Sequence, residues 1–243
     1  MWYTKKKSGS ARLETKEVYS LLGAGARHGT THKERPILKA KSNRSPGRPR
    51  QNEKKQPTNQ IILQSAAQLF LEKGYQEVSV DDVADHCNVT KATVYYYFGS
   101  KGDLFTETMV QMMLRIREQM DKLLHAEKPL KERIYDVTMA HLSAVGDMDM
   151  DGFTREMKNA LSTEQMKKVQ QAEENMYEAL EEAFNESIEK GEIREVHTKF
   201  VAHSFISLLK AGHYHDANGN TIFDTTEEAA KHIIDLFWNG LVE

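Results

Sequence analysis

Apolar residues recur with a helical period from Ile62 to the C-terminus and show no sustained period before about residue 50. Ile62, Ala66, Leu69 and Phe70 form one stripe, closed by Gly74. Ser79 with Asp82 three residues on is a capping pair, and Val80, Val83, Ala84 and Cys87 fall at i, i+3, i+4, i+7 behind it. Asn88 stands where a tight turn needs a residue that tolerates left-handed backbone angles. Thr90 then caps a short third helix, and Ser100 with Asp103 caps a long fourth one over about 101–124. Its stripe is Leu104, Phe105, Met109, Met112, Met113, Ile116, Met120 and Leu123. Pro129 opens a helix to about Val145; residues 146–153 read as a loop, with a short helix over about 153–161. Ser162 and Gln165 cap a long helix to Lys190, where Gly191 stops it. A helix over about 197–213, a loop over 215–220 and a last helix from the Thr225–Glu228 cap to Asn239, ended by Gly240, complete the chain. Strand alternation and internal repeats are absent. The pattern predicts an all-α protein.

Charge divides the 243 residues unevenly. Residues 1–56 hold 15 Lys and Arg against 4 Asp and Glu, a balance of +11; residues 57–243 hold 18 against 32, a balance of −14. A basic arm joined to an acidic body suits a polyanionic partner. Within 57–123 there are 6 Lys and Arg against 9 Asp and Glu, so that unit would lean on the arm for non-specific affinity. The arm, rich in Ser, Gly, Thr, Pro and Lys/Arg, reads as disordered. Its apolar stretch 18–26 is short, broken by Gly and Ser, and preceded by Glu14 and Glu17, unlike a signal peptide. No Met occurs between Met1 and Met109, so a later start would use a non-Met codon such as that of Leu38. A lone cysteine, Cys87, forms no internal disulfide and fits a reducing cytoplasm; its place on an apolar face suits a buried thiol. No apolar run reaches membrane-spanning length. Phosphate-binding Gly loops, nucleophile elbows and zinc-enzyme motifs are missing, so the chain is expected not to be an enzyme.

Two short helices joined by a tight turn, the second opening Lys91-Ala92-Thr93, match helix-turn-helix docking into a major groove. Here the chain resembles the TetR family of bacterial transcriptional regulators. The resemblance covers about residues 57–123. It rests on Phe70-Leu71-Glu72-Lys73-Gly74-Tyr75, on the capped second helix, on Ala92-Thr93-Val94-Tyr95-Tyr96-Tyr97-Phe98, and on Ser100-Lys101 with Asp103-Leu104. It implies an N-terminal helix-turn-helix DNA-binding domain and a larger C-terminal helical domain for ligand binding and dimerisation. The expected domains are the arm 1–56, the DNA-binding domain 57–104 and the helical domain 105–243.

By resemblance, Lys91, Ala92 and Thr93 face the major groove. Lys91 would donate to guanine O6/N7, and the methyl groups of Ala92 and Thr93 would touch a thymine methyl. Tyr95, Tyr96 and Tyr97 would contact phosphates or base edges, with at least one of them turned inward. Phe98 is core on either reading. Lys101 would hold a phosphate, and Ser79 and Thr90 combine capping with phosphate contact at helix N-termini. Pro46-Gly47-Arg48-Pro49-Arg50, with Arg44 ahead of it, resembles an AT-hook. Arg44, Arg48 and Arg50 would enter a narrow minor groove or, alternatively, bind phosphates without base preference.

Ten of the eleven methionines lie between 109 and 176. Met109, Met112, Met113, Ile116, Met139, Met157, Met166, Met176 and Tyr177 are candidates to line a pocket for a small hydrophobic inducer; ordinary core packing is the alternative. His213-x-His215-Asp216 lacks a recognised ligand spacing, so no metal or other cofactor is expected. The acidic run from Glu173 to Glu182 reads as a solvated helix face. Homodimerisation is expected through the last two helices, with Phe205, Leu208, Leu209, Ile233, Phe237 and Leu241 as apolar candidates and Ala211 and Gly212 allowing close approach. The expected function is a cytoplasmic, ligand-responsive repressor on a palindromic operator, nucleoid-associated when bound. A TetR-like protein of chromosome organisation or division is the alternative.

Overall fold

The computed structural model describes residues 56–145, 150–216 and 219–242. Nine helices occupy them, and the regular contacts between strands are limited to one isolated bridge, His215 with Thr221. They are α1 (Thr58–Glu77), α2 (Val80–His86), α3 (Lys91–Tyr97), α4 (Lys101–Leu124), α5 (Leu130–Val145), α6 (Met150–Ala160), α7 (Thr163–Glu189), α8 (Thr198–Ala211) and α9 (Thr226–Val242).

The local signals act as expected. Ser79 accepts a hydrogen bond from the Asp82 amide while the Asp82 carboxylate accepts from the Ser79 amide, a reciprocal cap that satisfies two otherwise unpaired donors. Ser162 and Gln165 do the same for α7. Asn88 turns the chain at φ 56°. Gly191, at φ 69°, closes α7: its amide bonds the Ile188 carbonyl and the Glu192 amide bonds that of Ser187.

Several boundaries differ. Gly74 does not end α1; it kinks it at φ 82°, ψ 167°, and the chain regains helix to Glu77. The short helix α6 begins at Met150, inside the segment that reads as a loop. The last helix runs through Gly240 to Val242, because a single glycine costs a helix only about 1 kcal/mol.

Two cores share α4 and α7. The first packs α1, α2 and α3 around Ile62, Phe70, Val83, Val94, Leu104, Phe105 and Met109, and reaches Met157 of α6, Val169 of α7 and Leu161 in the turn between them. Phe105, Met109 and Met112 therefore carry the N-terminal core past the expected 104/105 boundary. The second gathers Leu124, Leu130, Ile134, Leu180, Phe184, Phe205, Leu209, Ile234 and Phe237 from α4, α5, α7, α8 and α9. Arg133, 4% exposed, locks one edge of it: its guanidinium donates to the Leu124 carbonyl at 2.7 Å and pairs with Glu192 at 2.9 Å.

Most of the apolar residues expected to pair two copies are spent inside this core, while Leu208 is half-buried against it and Ala211 is exposed. Phe205, Leu209, Ile233, Phe237 and Leu241 are all buried in the single chain, and Gly212 is covered by Leu142 and Ile233. The stripes of α8 and α9 pack on α5 and α7 first. Phe200 and Leu236 are left on the outside, 70% and 67% exposed.

Candidate nucleic-acid interface

α2 and α3 are seven-residue helices whose inward faces carry Val80, Val83, Ala84 and Val94, with Phe98 buried just beyond. Burying that face turns Lys91, Ala92, Tyr95, Tyr96 and Tyr97 to solvent, while Thr93 is half-buried. The inward tyrosine expected from sequence is not found: Tyr95, Tyr96 and Tyr97 are 42%, 83% and 44% exposed. Val94 and Phe98, one turn apart, fill the inward face without them. Tyr96 and Tyr97 meet edge to face at 5.2 Å, forming an aromatic ridge at the C-terminal end of α3.

The polar groups of the site are largely occupied within the chain. Thr90 caps α3 through the Thr93 amide, and the two hydroxyls lie 2.8 Å apart. This leaves methyl groups and the Ala92 side chain as apolar contacts of the first turn. The Ser79 hydroxyl sits 2.6 Å from Asp82 Oδ2, which holds that carboxyl below the usual carboxylate range. Ser79 thus acts as a cap with an anion already beside it. The Lys91 ammonium lies 2.6 Å from Asp81 Oδ2 of α2, and that hydrogen bond raises its pKa.

Lys101 is engaged within the chain. Its Nζ stands 4.2 Å from the centre of the Tyr75 ring and 3.3 Å from the Gln76 carbonyl oxygen, and partial burial lowers its pKa. The two lysines of the helix-turn-helix that sequence assigns to DNA are therefore each partnered inside the fold. Arg44, Arg48 and Arg50 lie outside the described residues. Cys87 is half-buried, its Sγ donating to the Val83 carbonyl, and burial pushes its thiol up.

Sequence reasoning missed the contacts that tie this unit to α6 and α7. Glu156 of α6 accepts the Gln76 amide at 2.8 Å, and its other carboxylate oxygen would lie 3.0 Å from a Cβ at Gly74. Gln165 of α7 donates to Asp103 at 2.9 Å and would lie 3.0 Å from a Cβ at Gly102. Phe153 of α6 stacks edge to face on Phe105 at 5.9 Å. The start of α4, directly after the recognition helix, and the end of α1 are thus both gripped by the α6–α7 corner. Gly74 is required there by a backbone region open essentially to glycine alone, and a Cβ would also press on the Glu156 carboxylate. Gly74→Ala is expected to cost about 1–3 kcal/mol of stability, measured by urea denaturation.

The expected pocket residues do not form one group. Met109, Met112, Met113, Ile116, Met157 and Met166 pack in or against the first core; Met139 and Met176 pack against the second. Tyr177 stacks on His203 at 4.0 Å on the α7–α8 face. A cleft of about 320 Å³ between α5 and α9 and one of about 270 Å³ around His125 and Arg133 are lined by other, mostly charged residues. His213 packs edge-on against His141, the His215 ring turns to the His213 carbonyl, and Asp216 bonds Asn220. No helix among the described residues is long and apolar enough to cross a membrane.

Comparison with known proteins agrees with this geometry. The family described as bacterial regulatory proteins, tetR family, matches residues 62–108, from α1 to the first turns of α4. The fatty acid metabolism regulator protein of Bacillus subtilis is 25% identical over 142 residues, 58% of this chain and 73% of that protein. Among solved structures, the regulator FadR of Bacillus subtilis in complex with stearoyl-CoA shares the fold: TM-score 0.62, 20% identity, 74% of this chain and 98% of that one. The TetR family regulator PfmR of Thermus thermophilus is 28% identical with a TM-score of 0.53, covering 75% of this chain and 99% of that one. A capped helix-turn-helix with an outward recognition helix, set on a larger helical body, makes residues 62–108 a DNA-binding domain of the kind found in the tetR family of bacterial regulatory proteins.

Proposed function

We propose that the protein is an effector-responsive repressor that binds a palindromic operator as a homodimer. The observation that carries this reading is the outward face of α3, where Lys91, Ala92 and the tyrosine ridge project while Val94 and Phe98 hold the helix down. Lys91 reads a guanine edge, the methyl groups of Ala92 and Thr93 read thymine, and the tyrosines meet the backbone. Two copies pair through the outer faces of α8 and α9, around Phe200 and Leu236, and set the half-site spacing. The protein acts in the cytoplasm, on the nucleoid.

The effector is a small molecule with a long apolar part. The methionines around α4, α6 and α7 repack easily, and the structural relative FadR binds stearoyl-CoA. Stearoyl-CoA is accordingly the first probe. An effector that favours a different placement of α6 would loosen Glu156 from Gln76 and shift the recognition helix from its half-site. That is a coupling free energy between two sites.

Selection of bound sequences from random DNA tests the reading. An inverted repeat recovered near few promoters supports a repressor; many dispersed sites favour a chromosome-organising role. Lys91→Ala and Thr93→Ala should each weaken operator binding by about 1–3 kcal/mol while leaving random DNA less affected. Equal losses on both DNAs, measured by fluorescence anisotropy, would reduce the two residues to phosphate contacts.

A further inference from the structure

We propose that Asp81 sets the sequence discrimination of the recognition helix by competing with DNA phosphate for the Lys91 ammonium. The inference rests on the reading of α3 as the operator-reading helix. Asp81 is the second residue of α2 and Lys91 the first of α3, ten positions apart, and they meet at 2.6 Å on the exposed side of the unit. Both side chains are about half exposed, at 57% and 51%. The neighbouring carboxylate, Asp82, is engaged by the Ser79 cap. Lys101 is engaged by Tyr75 and Gln76. Lys91 is therefore the cation that α3 presents, and Asp81 is its partner.

An exposed pair of this kind is worth only about 0–1 kcal/mol, so DNA can open it or share it. The two kinds of DNA contact differ in what they demand. A phosphate that takes Lys91 is itself an anion, and it must either sit beside the Asp81 carboxylate or leave that carboxylate unpaired in the field of the backbone. Guanine O6 and N7 are neutral acceptors. The ammonium has three donors and can meet them while keeping one on Asp81. Asp81 thus penalises the sequence-independent contact more than the base contact. It also makes Lys91 a poor releaser of counterions on arbitrary DNA.

The experiment compares wild-type protein with Asp81→Asn on the selected operator and on random duplex, over a salt series. Asp81→Asn should raise affinity for random DNA on the order of tenfold at low salt and steepen its log–log salt slope by about one unit. Operator affinity should rise much less, so discrimination falls. In a Lys91→Gln background the same substitution should change both DNAs alike. Asp81→Glu, which keeps the charge, should behave as wild type, and thermal melts confirm that each variant is folded. Equal gains on both DNAs with Lys91 present, or an unchanged salt slope, would overturn the proposal alone. Wild-type protein that binds every duplex equally would overturn the operator reading, and the proposal with it.

Discussion

Replacing Phe237 with Asp is expected to unfold the C-terminal helices, whereas replacing its neighbour Leu236 with Asp leaves the chain folded. Phe237 is 7% exposed, with its ring 5.0 Å from that of Phe205 and 5.9 Å from that of Phe184. Removing such a ring costs about 3–5 kcal/mol in packing, and a buried unpaired carboxylate adds several more. The sum rivals the about 5–15 kcal/mol that holds a typical domain together. Leu236 points the other way, 67% exposed. Its change to Asp should move the stability of the single chain by only about 0.5 kcal/mol. It should nevertheless dissociate a dimer built on the outer faces of α8 and α9. Circular dichroism and sedimentation equilibrium separate the two outcomes. A folded Phe237→Asp protein would contradict the second core, and a dimeric Leu236→Asp protein would move the interface elsewhere.

That pair of adjacent residues shows what the sequence leaves open. Periodicity reveals that α8 and α9 carry apolar stripes, but a stripe does not say what covers it. Phe205, Leu209, Ile233 and Phe237 fit a partner subunit as well as they fit the chain's own core. Signals that act within four residues are readable. The Ser79–Asp82 and Ser162–Gln165 boxes, the φ 56° turn at Asn88 and the stop at Gly191 all depend on local chemistry. Contacts between distant segments leave no local trace. Asp81 meets Lys91 across a turn, and Glu156 meets Gln76 across 80 positions. Gln165 is legible as a cap residue, and its second bond, to Asp103, is not. The tyrosine run misleads for a related reason: aromatic side chains suggest core, yet Val94 and Phe98 already fill the inward face. The methionines look like one lining because they cluster in sequence, while helices α4 to α7 distribute them between two cores.

Removing residues 1–50 should weaken DNA binding more than any single change in the recognition helix. The folded helix-turn-helix has little cationic surface to offer. Residues 56–104 carry three lysines and arginines against six aspartates and glutamates. Two of those three, Lys91 and Lys101, are held by Asp81 and by Tyr75 with Gln76. Residues 1–56 carry a balance of +11 and end just ahead of α1, whose helix packs directly on α2 and α3. Each phosphate left unneutralised should flatten the slope of log affinity against log salt by about 0.9 unit, so removal of Arg44, Arg48 and Arg50 alone should flatten it by about 3 units. Between about 50 and 200 mM salt, a slope of that size corresponds to an affinity change on the order of 50-fold. If the arginines enter the minor groove, the weakening should be larger on A·T-rich flanks, where the groove is narrow and its potential more negative. A truncated protein with unchanged affinity, slope and flank preference would make the arm a bystander and return the whole electrostatic burden to a folded unit of net negative charge.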